Sequence, residues 1–143
     1  MKEQVKAEDI RVGIWVQSPS IICDGELRTW EVTESDIPIM LDNQENYFGI
    51  PLSEEVLLKC PQFERNGIVK VMNCYNMKFG RNRMITVSDI GTPNGFIHIS
   101  NIDEGVPTDI VTIYNWDYDK EIYLHQFQNI IHALTKTNLI YNH

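Results

Sequence analysis

The stretch that decides the fold is the C-terminal segment from Glu121 to Thr135, which reads EIYLHQFQNIIHALT. Its apolar residues recur at the spacing of one α-helical face, namely at Tyr123, Leu124, Phe127, Ile130, Ile131 and Leu134. Such a stripe covers about a third of the circumference of a helix with 3.6 residues per turn. The pattern therefore predicts a helix over residues 121–135 whose apolar stripe docks on a sheet.

The opposite face of this predicted helix carries three polar residues, His125, Asn129 and His132. Two histidines on one face raise the hypothesis of a metal site, but seven residues place them about 10.5 Å apart along the helix axis. Ligands of one ion on a helix lie three or four residues apart, so we predict no metal site. We expect the three side chains to face solvent or a partner protein. Imidazoles buried beside acids would instead favour an enzyme.

Short β-strands separated by turns dominate the chain before this helix. In the first third, residues 10–16, 21–23 and 27–33 are strand candidates, and Asp24 and Gly25 suit a tight turn between the last two. Strands this short cannot bury much surface alone, which predicts a small Src-homology-3-like β-barrel. After residue 60, strand candidates alternate with turns rich in Gly, Asn and Asp, which predicts a meandering antiparallel sheet. These candidates are residues 68–72, 75–79, 84–87, 96–100 and 109–114.

A short helix is predicted between the two β regions, where residues 52–59 read LSEEVLLK. Ser53 suits the N-cap, and Glu54 and Glu55 favour the positive end of the helix dipole. The expected fold is therefore α+β: a small β-barrel-like subdomain over residues 1–52, a short linking helix, and an antiparallel sheet packed by the C-terminal helix over residues 53–143. We expect the two subdomains to form one compact unit.

Composition and charge exclude several classes of protein. The 143 residues are 43% hydrophobic and 22% charged, which is typical of a globular chain, and the net charge of -8 repels phosphate backbones and acidic membrane surfaces. The three cysteines form no close pair, so a disulfide framework or a zinc ribbon is not expected. We find no signal-peptide pattern and no run of about 20 apolar residues. The sequence predicts a cytoplasmic protein that does not bind membranes.

No catalytic motif is present in the sequence. It lacks a glycine-rich phosphate loop, a G-x-S-x-G elbow and an H-E-x-x-H pair. Cys74 and His98 are the nearest candidates for a thiol–imidazole pair, and neither lies in a recognisable motif. We therefore predict that the protein is not an enzyme and carries no cofactor.

One segment departs from the acidic balance of the chain. Residues 59–83 contain six basic residues and one acidic residue, with Tyr75 and Phe79 among them. Cations interleaved with aromatic rings can follow a phosphate backbone and stack on bases, whereas strand alternation favours an inward, core position for both rings. A nucleic-acid-binding module is therefore the alternative hypothesis, and its contacts would come from Lys70, Lys78, Arg81 and Arg83.

Three stretches carry a resemblance to known sequences. Residues 10–16 read IRVGIWV, residues 50–59 read IPLSEEVLLK, and residues 124–129 read LHQFQN, with ALT at 133–135. They are similar to the motifs L-R-I-G-N-x-V, I-P-L-T-E-E-W-L-L-K and V-H-Q-L-Q-N…A-L-T. These motifs occur in a family of small uncharacterised bacterial proteins of prophages and other mobile elements, and the third is the most specific.

The resemblance implies an origin and a layout, and it carries over no catalytic residue. The chain departs from the family pattern at Val56, where the motif has tryptophan. Together with the missing catalytic motifs, the resemblance leads to the expectation of a non-enzymatic accessory or protein-interaction module of a prophage or mobile element. Its expected partner is a protein, bound through His125, Asn129 and His132.

Overall fold

A computed structural model describes residues 3–19, 26–65, 74–116 and 121–143 of the chain. The fold is α+β with two sheets and a C-terminal helix, which confirms the predicted class. In chain order its elements are β1 (Trp15–Pro19), β2 (Leu27–Glu31), α1 (Ile37–Asp42), α2 (Glu54–Leu58), β3 (Glu64–Arg65), β4 (Cys74–Phe79), β5 (Arg83–Ser88), β6 (Phe96–Asp103), β7 (Val106–Asn115) and α3 (Leu124–Thr135). Within the described ranges, no helix has both the length and the apolar character needed to cross a membrane.

The chain divides into two compact units. The first unit comprises residues 1–51, 122–141 and 143, and the second comprises residues 52–121 and 142. This grouping differs from the predicted division at residue 52, because α3 belongs with the N-terminal segment. Within the first unit α3 contacts β1 and the short 3-10 turn at Ala7–Asp9.

The first unit is built around a two-stranded antiparallel sheet, in which β1 pairs with β2. Its buried cluster comprises Val5, Ile14, Val16, Val32 and Met40. The short helix α1 supplies Met40 and was not predicted from the sequence. The described residues contain no closed barrel, so the Src-homology-3-like barrel stays a prediction. Residues 20–25, where a strand and a tight turn were expected, lie outside the description.

The second unit begins with α2 and continues into a five-stranded antiparallel sheet with the order β3-β4-β5-β6-β7. The predicted N-cap of α2 is confirmed, since the Ser53 hydroxyl accepts a hydrogen bond from the Val56 amide at 3.2 Å. The meandering topology is confirmed as well, while the strand expected at residues 68–72 lies outside the description. The β6–β7 turn has Glu104 and Gly105 at φ of 50° and 80°, as a two-residue hairpin turn requires.

Strand register gives the five-stranded sheet one apolar face and one polar face. Tyr75 lies opposite Val87, which lies opposite Ile97, and all three side chains are buried. The next residue in each strand points to the other face. That face carries the in-register row Asn76, Thr86, His98 and Thr112.

Candidate functional site

Gln128 on α3 is buried and bonds to three backbone groups. Its side chain is 1% exposed, and its Oε1 accepts a hydrogen bond from the Trp15 amide at 2.9 Å. Its Nε2 donates to the carbonyls of Gly13 and Leu139, at 3.1 and 3.2 Å. Buried backbone groups need partners, and here one side chain supplies three of them. Gln128 therefore fixes the entry to β1 and the segment after α3 on the helix.

Asn129, the residue after Gln128, also joins α3 to the N-terminal segment. Its Nδ2 donates to the Asp9 carbonyl at 2.9 Å, and its Oδ1 accepts from the Arg11 Nε at 2.9 Å. The Arg11 guanidinium also donates to the Asn138 Oδ1 at 2.6 Å and to the Gln128 carbonyl at 3.4 Å. We call Arg11, Gln128 and Asn129 the α3 network. It ties the N-terminal segment to the helix inside the first unit.

His125, one turn before Asn129, is also buried. Its side chain is 1% exposed, and its Nε2 lies 3.9 Å from the Asp9 Oδ2. Its Nδ1 is buried and has no hydrogen-bond partner among the described residues. It packs on the backbone of Gly49, where an added Cβ would lie 2.8 Å from the His125 Cε1. Burial lowers the pKa of His125 to about 4. The imidazole is therefore neutral at pH 7.

The prediction that His125, Asn129 and His132 face solvent or a partner protein is wrong for His125, which is buried. The Asn129 side chain makes its hydrogen bonds within the first unit. His132, in the last helical turn, is half-buried, and a contact between it and a partner stays a prediction. The physical reason is that the buried face of α3 is centred on Leu124, Phe127, Gln128 and Ile131, which follow the i, i+3, i+4, i+7 spacing. Gln128 occupies a core position because it satisfies backbone groups. His125 lies three residues before it on the same side of the helix, and so it is buried as well.

Buried His125 beside Asp9 does not make a catalytic base. A general base works best with a pKa near the operating pH, and a pKa of about 4 lies well below that range. An imidazole that is 1% exposed also cannot contact a substrate in this conformation. The carboxylate is close, but the pair lacks the access that catalysis requires.

The thiol–imidazole candidates are not adjacent in the sheet. Cys74 on β4 lies in register with Phe96 on β6 through Ser88, and His98 is two residues further along β6. The two residues are therefore about 10 Å apart across the strands and about 7 Å apart along them. The Cys74 Sγ lies 3.2 Å from the Ser88 Oγ, and the His98 ring stacks on Phe96 with centroids 3.7 Å apart. Partial burial lowers the pKa of His98. These residues do not form a nucleophile–base pair.

A small pocket of about 180 Å³ lies in the second unit. The Tyr75 hydroxyl donates a hydrogen bond to the Glu54 carboxylate at its wall. Its described lining is Glu54, Tyr75, Asp89, Ile90 and Thr92, with no histidine, lysine or cysteine. The lining thus lacks a matched acid–base or nucleophile–base pair. Nor do the described residues bring three His, Cys, Asp or Glu side chains close enough to hold a metal ion.

The basic segment does not form one face of the sheet. Lys78 is exposed on the polar face opposite Met84, whereas Arg83 pairs with Phe79 and so points to the other face. Arg81 is exposed in the turn between these strands, and Lys70 lies outside the described residues. Of the two aromatic rings that were proposed to stack on bases, Tyr75 is 1% exposed and belongs to the core.

A feature that the sequence analysis missed is the exposed apolar edge of the second sheet. β7 is ten residues long and, among the described strands, pairs only with β6. Its side chains Val106, Ile110 and Val111 are 60%, 57% and 58% exposed. We call Val106–Asn115 the β7 edge. The available signal was two adjacent apolar residues, Ile110 and Val111, which cannot both face one core in a regular strand.

The β7 edge is also irregular. The pairing of β6 with β7 shifts register between Ile97 and His98 and again between Ile99 and Asn101. Asp109, near the second shift, has φ of 51°, and its Oδ2 accepts a hydrogen bond from the Asn101 Nδ2 at 3.1 Å. Such bulges increase the local twist of a strand. The β7 edge is therefore twisted, and it is not a flat template for pairing with another strand.

Comparisons of this chain with protein-family models, with curated proteins and with solved structures find no match. Its function is therefore argued from its own residues.

The α3 network gives a structural role to residues 10–16 and 124–129, the first and third of the three stretches quoted above. Arg11 belongs to the first stretch, and Gln128 and Asn129 belong to the third. Their hydrogen bonds join these stretches across more than 110 residues of chain. The polar residues of the third motif thus serve the architecture of the first unit. The β7 edge is therefore the candidate binding site, because its apolar side chains are exposed.

Proposed function

We propose that this chain is a non-enzymatic protein-interaction module that binds its partner through the β7 edge. The observation that carries the proposal is the exposure of Val106, Ile110 and Val111 on a strand with one described neighbour. An edge strand offers unpaired backbone groups, and apolar side chains along it gain from being covered. On α3, His125 is buried and Asn129 makes hydrogen bonds within the first unit, so little of the predicted partner face is available.

An accessory role in a bacterial prophage or other mobile element, in the cytoplasm, is part of the proposal. Its support is the resemblance of residues 10–16, 50–59 and 124–135 to proteins of such elements. A small Src-homology-3-like barrel is the matching proposal for the first unit.

Two other functions have less support. An enzyme would need an accessible base, whereas His125 is enclosed and has a pKa of about 4. A nucleic-acid-binding module retains the exposed cations Lys78, Arg81 and Arg83, but two of them point to opposite faces and Tyr75 cannot stack on a base. We therefore rank partner-protein binding first.

The test compares two double variants, each of which replaces two exposed apolar residues with lysine. Ile110→Lys with Val111→Lys places charges on the β7 edge, and Ile39→Lys with Leu41→Lys places the same charges on exposed residues of the first unit. The exposed fractions are 57% and 58% for the first pair and 58% and 46% for the control pair. Tagged full-length chains are used to purify partners from cells that encode the protein, and each recovered protein is then titrated against the purified variants.

We expect a purified partner to bind the wild type and the control pair alike, and to bind the β7 pair at least about tenfold more weakly, since each buried apolar side chain contributes about 1 kcal/mol or more. Equal binding to all three chains would remove the proposal. So would turnover of a substrate by the wild-type chain in a broad hydrolase screen, because the chain would then be an enzyme.

A further inference from the structure

We infer that the partner presents an extended, basic polypeptide segment that adds to the β7 edge as a further strand. This inference rests on the proposed function and specifies the chemistry of the partner at the same site. It combines two observations on one hairpin: an apolar strand that has one neighbour among the described strands, and an excess of acidic residues beside it.

The backbone of β7 carries the first part of the inference. Ten residues span about 33 Å at about 3.3 Å per residue, which is long enough for a pairing segment of six residues or more. Strand addition draws affinity from main-chain hydrogen bonds and specificity from alternate side chains. Val106 and Val111 lie on one face of the sheet, as their register with Asp103 and Ile99 shows, and Ile110 points to the other face. An added strand therefore meets exposed apolar side chains on both faces. The bulge at Asp109 limits indiscriminate pairing, because a flat strand cannot follow the twisted edge.

The charge of the β6–β7 hairpin carries the second part. Residues 101–116 contain three acids and no lysine or arginine. The acids are Asp103, Glu104 and Asp109, and all three side chains are exposed. Charge complementarity therefore favours a partner segment rich in lysine or arginine.

The same charges argue against a second copy of this chain as the occupant. Two β7 edges paired with each other would join two hairpins that each carry three acids and no lysine or arginine. Each chain also carries a net charge of -8. Repulsion between like charges therefore opposes this pairing, most strongly at low ionic strength.

The experiment uses the full-length chain and three capped heptapeptides. The first alternates lysine with valine, the second alternates glutamate with valine, and the third repeats the first with every backbone amide N-methylated. Binding is followed by the NMR amide signals of residues 106–115 and quantified by titration calorimetry. The variant Asp103→Asn, Glu104→Gln, Asp109→Asn removes the acids with little change in shape, and asparagine tolerates the left-handed conformation at position 109.

We expect the lysine–valine peptide to shift the signals of residues 106–115. The glutamate–valine peptide should bind about tenfold more weakly, because it replaces exposed ion pairs with the three acids by repulsion between like charges. The N-methylated peptide should lose binding, since it cannot donate the main-chain hydrogen bonds. The triple variant should bind the lysine–valine peptide about tenfold more weakly than the wild type does.

Several results would overturn the inference. Equal affinity for the two charged peptides would remove the basic partner, and undiminished binding of the N-methylated peptide would remove strand addition. A dimer in sedimentation that the Ile110→Lys, Val111→Lys pair dissociates would identify a second copy as the occupant. In each case the proposed function survives if purified partners still discriminate the β7 pair from the Ile39, Leu41 pair, so the two failures can be told apart.

Discussion

The α3 network and the β7 edge differ in where they place polar and apolar side chains. In the first unit Gln128, a polar residue, is buried on a helix and bonded to backbone groups. In the second unit Ile110 and Val111, apolar residues, are exposed on a strand. Buried polar residues are retained when they satisfy backbone partners, whereas exposed apolar residues clustered on an edge indicate a surface that binds something. In this protein the polar residues on α3 are therefore weaker evidence for a binding surface than the exposed apolar residues on β7.

The largest effect expected from this comparison is the loss of stability in Gln128→Leu. The substitution keeps the side chain near its volume but leaves the Trp15 amide and the carbonyls of Gly13 and Leu139 without their partner. Each buried unpaired group costs about 1–3 kcal/mol, so we expect the free energy of unfolding to fall by about 3–5 kcal/mol. Chemical denaturation at pH 7 measures it.

A suitable control is Gln126→Ala at a neighbouring position on α3. Gln126 accepts a hydrogen bond from the Tyr123 amide at the start of the helix and is half-buried. Loss of that cap costs about 1 kcal/mol. If Gln128→Leu costs no more than this control, the α3 network is not what joins the N-terminal segment to the helix.

The next largest effect is a dependence of stability on pH from His125. Its pKa is lowered to about 4 in the folded chain, from 6.5 when unfolded, so the unfolded chain takes up the proton first as pH falls. Its contribution is therefore intact above about pH 6.5 and is lost progressively down to about pH 4. The loss is on the order of 3 kcal/mol for a shift of this size.

Comparison with His125→Phe isolates this contribution, because carboxylates elsewhere also titrate below pH 5. Phenylalanine keeps an aromatic ring beside Tyr123 and Gly49 but cannot take up a proton. Denaturation between pH 7 and pH 4 should show a smaller loss of stability for the variant than for the wild type. Parallel curves for the two chains would mean that His125 is protonated equally in the folded and unfolded states.

Local patterns were sufficient to predict much of the fold. The spacing in α3, the Ser53 cap of α2 and the alternation in β4 and β5 each depend on residues a few positions apart. The short helix α1 was missed because six residues with a proline near its start give little periodicity.

The candidate site was not predictable in the same way. The partners of Gln128 in β1 lie more than 110 residues away, so no local pattern shows that its amide is buried. Whether β7 is an edge or a central strand depends on the order of strands in the sheet, which its own sequence does not contain. The helical periodicity of α3 placed His125 opposite the apolar stripe, and only the backbone partners of Gln128 show why it turns inward.

The smallest effect is expected where the proposed function is tested. Ile110→Lys with Val111→Lys should change the free energy of unfolding by no more than about 0.5 kcal/mol, because both side chains are more than half exposed and bury little apolar area. Lysine on an edge strand is also a device by which proteins prevent unwanted pairing.

Ile97→Lys on the adjacent strand β6 provides the contrast, since its side chain is 0% exposed and a buried charge there would unfold the sheet. Thermal denaturation of both variants separates the two situations. If the β7 pair melted like Ile97→Lys, Ile110 and Val111 would be part of the core. Weaker partner binding by that pair would then report unfolding. If the pair melts like the wild type, its loss of binding can be assigned to the edge itself, because the folded chain differs only in what β7 offers to a partner.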